Sequence, residues 1–480
     1  MLNKLEPKIL WKYFEAICKI PRPSKNEQHI IRYIQETAQK LNLPVQIDPV
    51  GNVLVKKKAS SHKKNSPIVI LQSHLDMVQQ KNSGIHHDFQ QDPIRAYVDG
   101  EWVKAKDTTL GADNGIGVAA MMAILESPDL EHGPIEALFT VDEETGMTGA
   151  FNISPDLLKG KLLINLDSEN DNDLYIGCAG GINATAQLTS ICQKAETSHN
   201  SYQISIKGLR GGHSGVDIHL GRANAIKLLN RVLFELIQKF DIRISSFHGG
   251  SARNAIPREA FANISIPHIY LSRLKEYIPV IQEVLHQEYL TTDPELILEI
   301  QEIPPEQFVL TSPAQENLIR AIYACPNGII RMNNQFPGIV ETSNNLSMLE
   351  CANEKSIIHC LLRSSSDSAR DDLANAVLCA LSLAEAHVEF SGAYPGWQPN
   401  PDSNLLKTLK STYEQLFKQN ANIRVIHAGL ECGIIGAKYP QIDMVSLGPD
   451  ILHPHSPHEA VNIKSVQKFW SFLCTALKNL

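Results

Sequence analysis

The sequence predicts an α/β protein in which a mixed sheet covered by helices is interrupted by an inserted α+β domain. Three observations predict it. Over residues 1–186 the hydrophobic period switches repeatedly between strand-like and helix-like spacing; over 187–396 the order becomes β-α-β-β-α-β; over 397–480 the α/β texture returns. With 480 residues, the chain is long enough for two or three hydrophobic cores. Those three segments are the expected first part of the α/β domain, the insertion, and the second part of the α/β domain.

Each element has its own signal. Residues 7–19 carry apolar positions at helical spacing, and Ser24-Lys25-Asn26-Glu27 reads as a capping box opening a second helix to about Leu41. Residues 45–56 and 67–72 read as strands, 115–126 as a helix, and 135–141, 161–166 and 174–176 as strands. In the insertion, a strand (202–207), a helix (222–240), two strands (242–247, 259–266), a helix (271–288) and a further strand make one βαββαβ unit. Helices near 314–324 and 368–386, with strands such as 356–362, make a comparable run, so two related units are expected. The last segment carries helices near 405–418 and 463–479 around short strands.

Composition excludes several classes. A net charge of −8 opposes nucleic-acid binding, which draws its affinity from basic patches. The basic cluster Lys56–Lys58 with Lys63 and Lys64 reads as a solvated hairpin loop. Nine scattered cysteines without a C-x-x-C pair indicate neither a disulfide framework nor a thiolate zinc knuckle, which fits a reducing compartment. No segment reaches the ~18 apolar residues of a membrane span, and the N-terminus lacks a secretory pattern. The expectation is a cytoplasmic protein without membrane or nucleic-acid partners.

Acids and histidines gather at strand ends. In SHLDMV, His74 and Asp76 lie two apart, on one face of an apolar strand's carboxyl end. His74 can bind a metal while Asp76 fixes the imidazole from behind, although a core histidine beside a loop aspartate has the same sequence. LGADNGIGV places Asp113 at a helix start, where it can bridge two cations or simply cap. Its glycines superficially match a dinucleotide fingerprint, but they do not directly follow a strand, and no acidic residue ends a second βαβ strand about 20 residues on. In TVDEETG, Glu143 and Glu144 follow an apolar strand; adjacent carboxylates there are costly unless metal or protons neutralise them, whereas a solvated acidic turn is the bland reading. Asp167 ends the strand in INLDSE, as ligand or edge-loop residue. His453, His455 and His458 crowd one proline-rich loop, from which at least one ligand is expected. Carboxylates and imidazoles without thiolates suit Zn²⁺, Mn²⁺ or Co²⁺ in an open site. Two such ions ~3.5–4 Å apart would polarise a carbonyl and bring a bridging water toward a pKa of ~7.

With these residues in place, the chain resembles the di-zinc metallopeptidase family that includes carboxypeptidase G, aminoacylase and succinyl-diaminopimelate desuccinylase, most of all its aminoacyl-histidine dipeptidases. SHLDMV, ADNGIG, DEETG, NLDSE, GLRGGHSG, RNAIPRE and PHSP fall in the family's order over nearly the whole length. The resemblance implies two Zn²⁺ ions, with Asp113 bridging, His74 and Asp167 completing one, and Glu144 and His455 completing the other. It implies Glu143 as general base, whose loss would cost ~10²–10⁴ in rate, and Asp76 as the clamp on His74. The insertion resembles the family's lid, in which His213 would stabilise the oxyanion, with His219 as rival, and Asn254 and Arg363 would hold the substrate's carboxylate. Relatives with a short lid take that histidine from a second subunit. A doubled lid can supply it in one chain, so a homodimer is compatible with catalysis without being required. The implied reaction is hydrolysis of dipeptides, preferentially Xaa-His including β-alanyl-histidine. The alternatives are a broader di/tripeptidase or N-acyl amino-acid deacylase on the same metals, and a catalytically silent peptide-binding protein.

Overall fold

The protein is described by a computed structural model covering residues 2–352 and 354–480. Two compact units emerge: Met1–Gly177 with Trp397–Val425 and Leu430–Leu480, and Cys178–Gly396 with Ile426–Gly429.

The first unit carries an eight-stranded mixed sheet in the order Val45–Ile47, Val53–Lys57, Ile135–Thr140, Val69–His74, Leu162–Asn165, Asp443–Ser446, Asp173–Cys178, Asn422–Ile426. Its four central strands, from Ile135–Thr140 to Asp443–Ser446, run parallel. They are apolar and buried nearly throughout, as parallel strands covered on both faces must be. The register sets Thr140 beside His74 and Asn165 beside Gln72 and Ser446, so the residues following all four strands emerge at one edge.

Several local expectations are corrected. The strand expected over 45–56 is a hairpin that turns at Gly51 (φ 107°), where Asp48 Oδ1 accepts the amides of Val50, Gly51 and Asn52. Lys56 and Lys57 lie on the second strand of that hairpin instead of in a solvated loop. Lys57 Nζ donates to the carbonyls of Ile124 (2.6 Å) and Ser127 (2.5 Å), closing the end of the helix Ala112–Glu126. The capping box does not form either. The helix starts at Gln28, Ser24 Oγ donates to Asp76 Oδ2 (2.8 Å), and Glu27 Oε1 accepts the amides of Lys25 and Asp142 (3.0 Å each). Buried tertiary partners have outcompeted the local cap.

Helix Ala112–Glu126 is buried almost entirely, and its glycines let it approach the strand ends. A Cβ on Gly117 would stand 2.5 Å from Ser73 Oγ and 2.8 Å from the Leu166 carbonyl; one on Gly115 would stand 2.7 Å from Arg22 Nη2. Gly117 serves helix–strand packing, and Gly115 makes room for Arg22 and Phe14.

The second unit is built on a nine-stranded sheet, ordered Ile297–Glu302, His199–Lys207, Ala260–Pro267, Arg243–Gly249, Val340–Ala352, Lys355–Ser364, Gly180–Thr189, His387–Tyr394, with Gly328–Met332 paired beside Val340–Ala352; the pairs Cys192–Lys194 with Phe308–Leu310 and Gly212–His213 with Ala255–Ile256 form separate small sheets. The two expected βαββαβ runs are halves of this sheet. In the first, strands 199–207, 243–249, 260–267 and 297–302 are ordered 4-1-3-2; in the second, strands 180–189, 340–352, 355–364 and 387–394 repeat that order from the opposite edge. The halves join strand two to strand two, Phe247 beside Cys351. They are nested, not tandem: the second half's first strand, Gly180–Thr189, precedes the entire first half. The expected boundary at 186/187 therefore falls inside a strand that pairs with Lys355–Ser364 and His387–Tyr394.

Helix Ala225–Phe240 shows how this unit holds together. Asn224 Oδ1 accepts the amides of Ile226 and Lys227, satisfying donors that the first turn leaves free, and Asp241 ends the helix at φ 50°. Ile226, Leu229, Leu233, Leu236 and Phe240, at helical spacing, join one core with Ile264, Leu274, Ile319 and Val377. Among the described residues, no helix is long and apolar enough to cross a membrane.

Candidate metal centre

Parallel strand ends bring four of the predicted residues together. His74 closes its strand; Glu143 and Glu144 follow Ile135–Thr140; Asp167 follows Leu162–Asn165. Asp113 comes from the start of helix Ala112–Glu126, where φ −78° and ψ 112° depart from helical values, and the Asp113–Asn114 peptide is cis. His455 arrives on the loop between Ile451–Leu452 and Ala460–Asn462. Asp142 (φ 54°) and His455 (φ 60°) occupy the left-handed region, which costs a non-glycine residue about 1 kcal/mol or more and clusters at functional sites.

The geometry has a repeated form. His74 Nε2 lies 3.1 Å from Asp113 Oδ1 and 3.2 Å from Asp167 Oδ1; His455 Nε2 lies 3.1 Å from both Asp113 Oδ2 and Glu144 Oε2. Each imidazole nitrogen thus faces two carboxylates, and Asp113 presents one oxygen to each histidine. Donor groups His74–Asp113–Asp167 and Asp113–Glu144–His455 each converge within ion-binding range, as does His74–Glu143–Glu144. Spacings of this size are the edges expected between ligands ~2.0–2.2 Å from one cation.

The electrostatics fit two cations. Hydrogen bonds to the carboxylates of Asp113 and Glu144 outweigh burial and push the His455 imidazole up to about 11. His74 is fully enclosed, which disfavours its charge, yet Asp167 and Asp113 hold its imidazole well above its usual range. Burial first, and then Asp113, raises Glu144; burial likewise raises Asp167. Glu144 Oε1 is buried without a hydrogen-bond partner among the described residues. The carboxylates that raise the two imidazoles are the negative charge that a metal pair would neutralise.

Glu143 differs from the other acids. It makes no ion pair with either imidazole among the described residues, and burial, with Asp167, Glu144 and Glu431 nearby, pushes its carboxyl well above the usual range against the pull of His74. Asp76 is enclosed, and burial opposes its charge. His74, the amides of Glu143 (3.0 Å) and Glu144 (3.2 Å), and Ser24 reverse that, holding it down to about 2. His74 Nδ1 lies 3.3 Å from Asp76 Oδ1.

His453 and His458 stand outside the donor groups. In the second unit, His213 Nδ1 accepts the amides of Gly215 (3.2 Å) and Val216 (3.0 Å), which fixes its proton on Nε2. Burial, then the Arg363 charge, lowers its pKa to about 4, so the ring is neutral. His219 turns Nδ1 to the Val216 carbonyl of its own loop (2.8 Å) and is exposed. Arg363 is 6% exposed; its Nη1 donates to Tyr394 Oη (3.0 Å), and its Nε has no partner among the described residues. Asn254 is exposed on a loop whose carbonyl accepts the Ser214 amide.

Sequence reasoning missed four buried residues. Glu431 accepts from Gln72 Nε2 (2.6 Å) and Thr140 Oγ1 (2.7 Å), and burial pushes it up to about 8. His427 bonds Ser343 Oγ through Nε2 (2.7 Å). Arg22 and Glu459 hold the loop before Asp113. Glu459 directly follows His458, and Arg22 sits between Pro21 and Pro23, but neither position shows what it touches.

Comparison with known proteins matches this architecture. The model described as "Peptidase family M28" matches residues 52–216, and the one described as "Peptidase dimerisation domain" matches 204–293. The cytosol non-specific dipeptidase of Escherichia coli K12 is 43% identical over 479 residues, covering 100% of this chain and 99% of that protein. The chain belongs to the cytosol non-specific dipeptidase family. The family's fold is shared by the crystal structure of aminoacylhistidine dipeptidase from Vibrio alginolyticus, 44% identical, with a TM-score of 0.94 over 100% of this chain and 98% of that one. The aminopeptidase PepT of Bacillus cereus, 15% identical with a TM-score of 0.58 over 99% of each chain, shares the fold alone. The α/β fold class with its lid-type insertion, and the family resemblance, are borne out.

Proposed function

We propose that the protein is a two-metal dipeptidase that hydrolyses the single peptide bond of dipeptides, Xaa-His including β-alanyl-histidine among them. The observation that carries it is the pair of imidazole nitrogens, each facing two carboxylates 3.1–3.2 Å away and sharing Asp113. His74, Asp167 and Asp113 would hold one ion, and Glu144, His455 and Asp113 the other, Zn²⁺ being the expected metal and Mn²⁺ or Co²⁺ able to replace it. Bound there, the pair supplies Lewis acidity toward the scissile carbonyl and makes a water easier to deprotonate.

The chain's own groups do the rest. Glu143, unpaired and raised by burial, takes the proton of the attacking water and delivers it to the leaving amine. Asp76 keeps the His74 ring in place. His213 offers a neutral Nε2–H to the oxyanion, a role its accepting Nδ1 supports. Arg363, with an unpartnered Nε, and Asn254 receive the substrate's carboxylate.

A broader specificity has its own support, because the Escherichia coli relative is named a non-specific dipeptidase. The test is hydrolysis of β-alanyl-histidine, Leu-Leu and N-acetyl-methionine after loading with Zn²⁺, Mn²⁺ or Co²⁺. Cleavage of both dipeptides, abolished by chelator, is expected. Cleavage of N-acetyl-methionine alone would make the protein a deacylase. Tight binding of dipeptides without turnover in every metal would establish the silent binder.

A further inference from the structure

We propose that Glu459 and Arg22 are positioning residues that fix the direction of the Asp113 carboxylate, so that altering either weakens metal binding in both halves of the centre. The inference rests on the metal-centre reading above. Asp113 must turn one oxygen to His74 and the other to His455, each at 3.1 Å, a demand that a freely rotating side chain on a loose loop would not meet. Its backbone is not held by the helix it opens, because Asp113 and Asn114 leave helical values.

Glu459 supplies the missing restraint. Four consecutive amides converge on its buried carboxylate: Leu110 (2.8 Å) and Gly111 (2.9 Å) on Oε2, Ala112 (2.7 Å) and Asp113 (3.2 Å) on Oε1. A carboxylate has about four acceptor directions, and here all are used. Glutamine would keep one oxygen and turn an amide donor toward two of the N–H groups. Glu459 also lies four residues beyond His455, so the loop that carries one ligand grips the loop that carries the shared one.

Arg22 holds the same loop through a carbonyl. Buried at 2% exposure, its Nη1 donates to the carbonyls of Leu75 (2.9 Å) and Asp76 (2.8 Å), and its Nη2 donates to that of Gly111. It therefore ties the segment after His74 to the segment before Asp113. Gly111 has φ 68°, and a Cβ there would stand 2.5 Å from Arg22 Nη2 and 2.8 Å from Met77 Sδ, so the loop is shaped around the guanidinium. Burial lowers the Arg22 pKa, and the Glu459 carboxylate is among the charges that oppose that shift.

The test is Co²⁺ titration of the chelator-stripped, full-length protein, followed by visible absorption, for wild type, Glu459→Gln, Glu459→Asp and Arg22→Lys, with thermal unfolding of each stripped protein as the folding control. The expected result is two Co²⁺ per wild-type chain and roughly 10–100-fold weaker binding with an altered spectrum in Glu459→Gln, the size usual for lost outer partners of metal ligands. Glu459→Asp should recover part of the affinity. Wild-type affinity and spectrum in Glu459→Gln, with only a lower melting temperature, would overturn the proposal and leave Glu459 a structural residue. If Glu459→Gln does not fold, weaker and spectrally altered binding in Glu459→Asp or Arg22→Lys upholds the proposal, and wild-type binding in both overturns it. A wild-type protein that takes up no Co²⁺ would instead overturn the metal centre itself.

Discussion

Glu143 and Glu144 are neighbours in sequence with different surroundings, and the difference divides their roles. Glu144 faces His455 Nε2 at 3.1 Å, whereas Glu143 pairs with no imidazole among the described residues while still standing in a donor group with His74 and Glu144. A base and a third ligand would respond differently to Glu143→Gln. As a base, the variant should lose ~10²–10⁴ in kcat while elemental analysis still finds two metals per chain; loss of metal along with activity would make Glu143 a ligand. His427, far from these carboxylates in sequence and chemistry, gives a prediction for stability. Burial, then the charge of Arg363 and the nearby His213, lowers its pKa to about 3, below the ordinary histidine value of 6.5. The unfolded chain therefore binds the proton first. The stability contributed by neutral His427 is complete above pH 6.5 and drains away as pH falls toward 3, by up to about 1.4 kcal/mol per pH unit. His427→Gln should flatten the decline in melting temperature between about pH 7 and pH 5; parallel declines in the two proteins would show that His427 does not titrate on unfolding.

Helix Ala112–Glu126 is the element on which packing and site meet, since it carries Asp113 at its start and lies buried against the strand ends. Gly117 marks the closest approach. The methyl group added by Gly117→Ala would press on Ser73 Oγ and the Leu166 carbonyl, next to His74 and Asp167, so the helix must shift. Overpacking of this kind costs about 1–3 kcal/mol. Urea unfolding should show that loss, together with weaker metal binding; an unchanged midpoint would mean the helix has room to move. The same element shows what is legible in sequence. Long apolar runs that stop abruptly at His74, Glu143 and Asp167 announce parallel strands and their ligand edge, because both features follow from local pattern. Ser24 and Glu27 mislead because a capping box is defined by four adjacent residues, whereas their partners, Asp76 and the Asp142 amide, lie 52 and 115 positions away. Arg22 and Glu459 escape for the same reason: their bonds go to backbone groups, which leave no mark in side-chain spacing. The hairpin at Gly51 is legible, since Asp48, Pro49, Gly51 and Asn52 are turn-forming residues inside the run read as one strand.

At the scale of the whole molecule, the second unit's sheet answers a question about assembly. The match to a peptidase dimerisation domain covers 204–293, which lies in only the first of two halves with the same 4-1-3-2 strand order. A lone half would end at Arg243–Gly249, with backbone donors and acceptors exposed on that edge as a template for another chain. Here Val340–Ala352 of the same chain pairs with it, Phe247 with Cys351 and Gly249 with Leu349. The two halves bury one common core, to which Leu229 and Ile264 of the first and Ile358 and Val377 of the second contribute, so the second half cannot detach without exposing it. What a partner subunit would add at that edge is already present in the chain. That edge of the sheet is closed within the chain, so catalysis is predicted not to depend on a homodimer. Specific activity toward a dipeptide should stay constant when the metal-loaded enzyme is diluted from micromolar to low nanomolar concentration, while sedimentation velocity follows its mass. Activity that falls in step with dissociation of a dimer would show that a second chain completes the site, and that the doubled sheet is not a substitute for it.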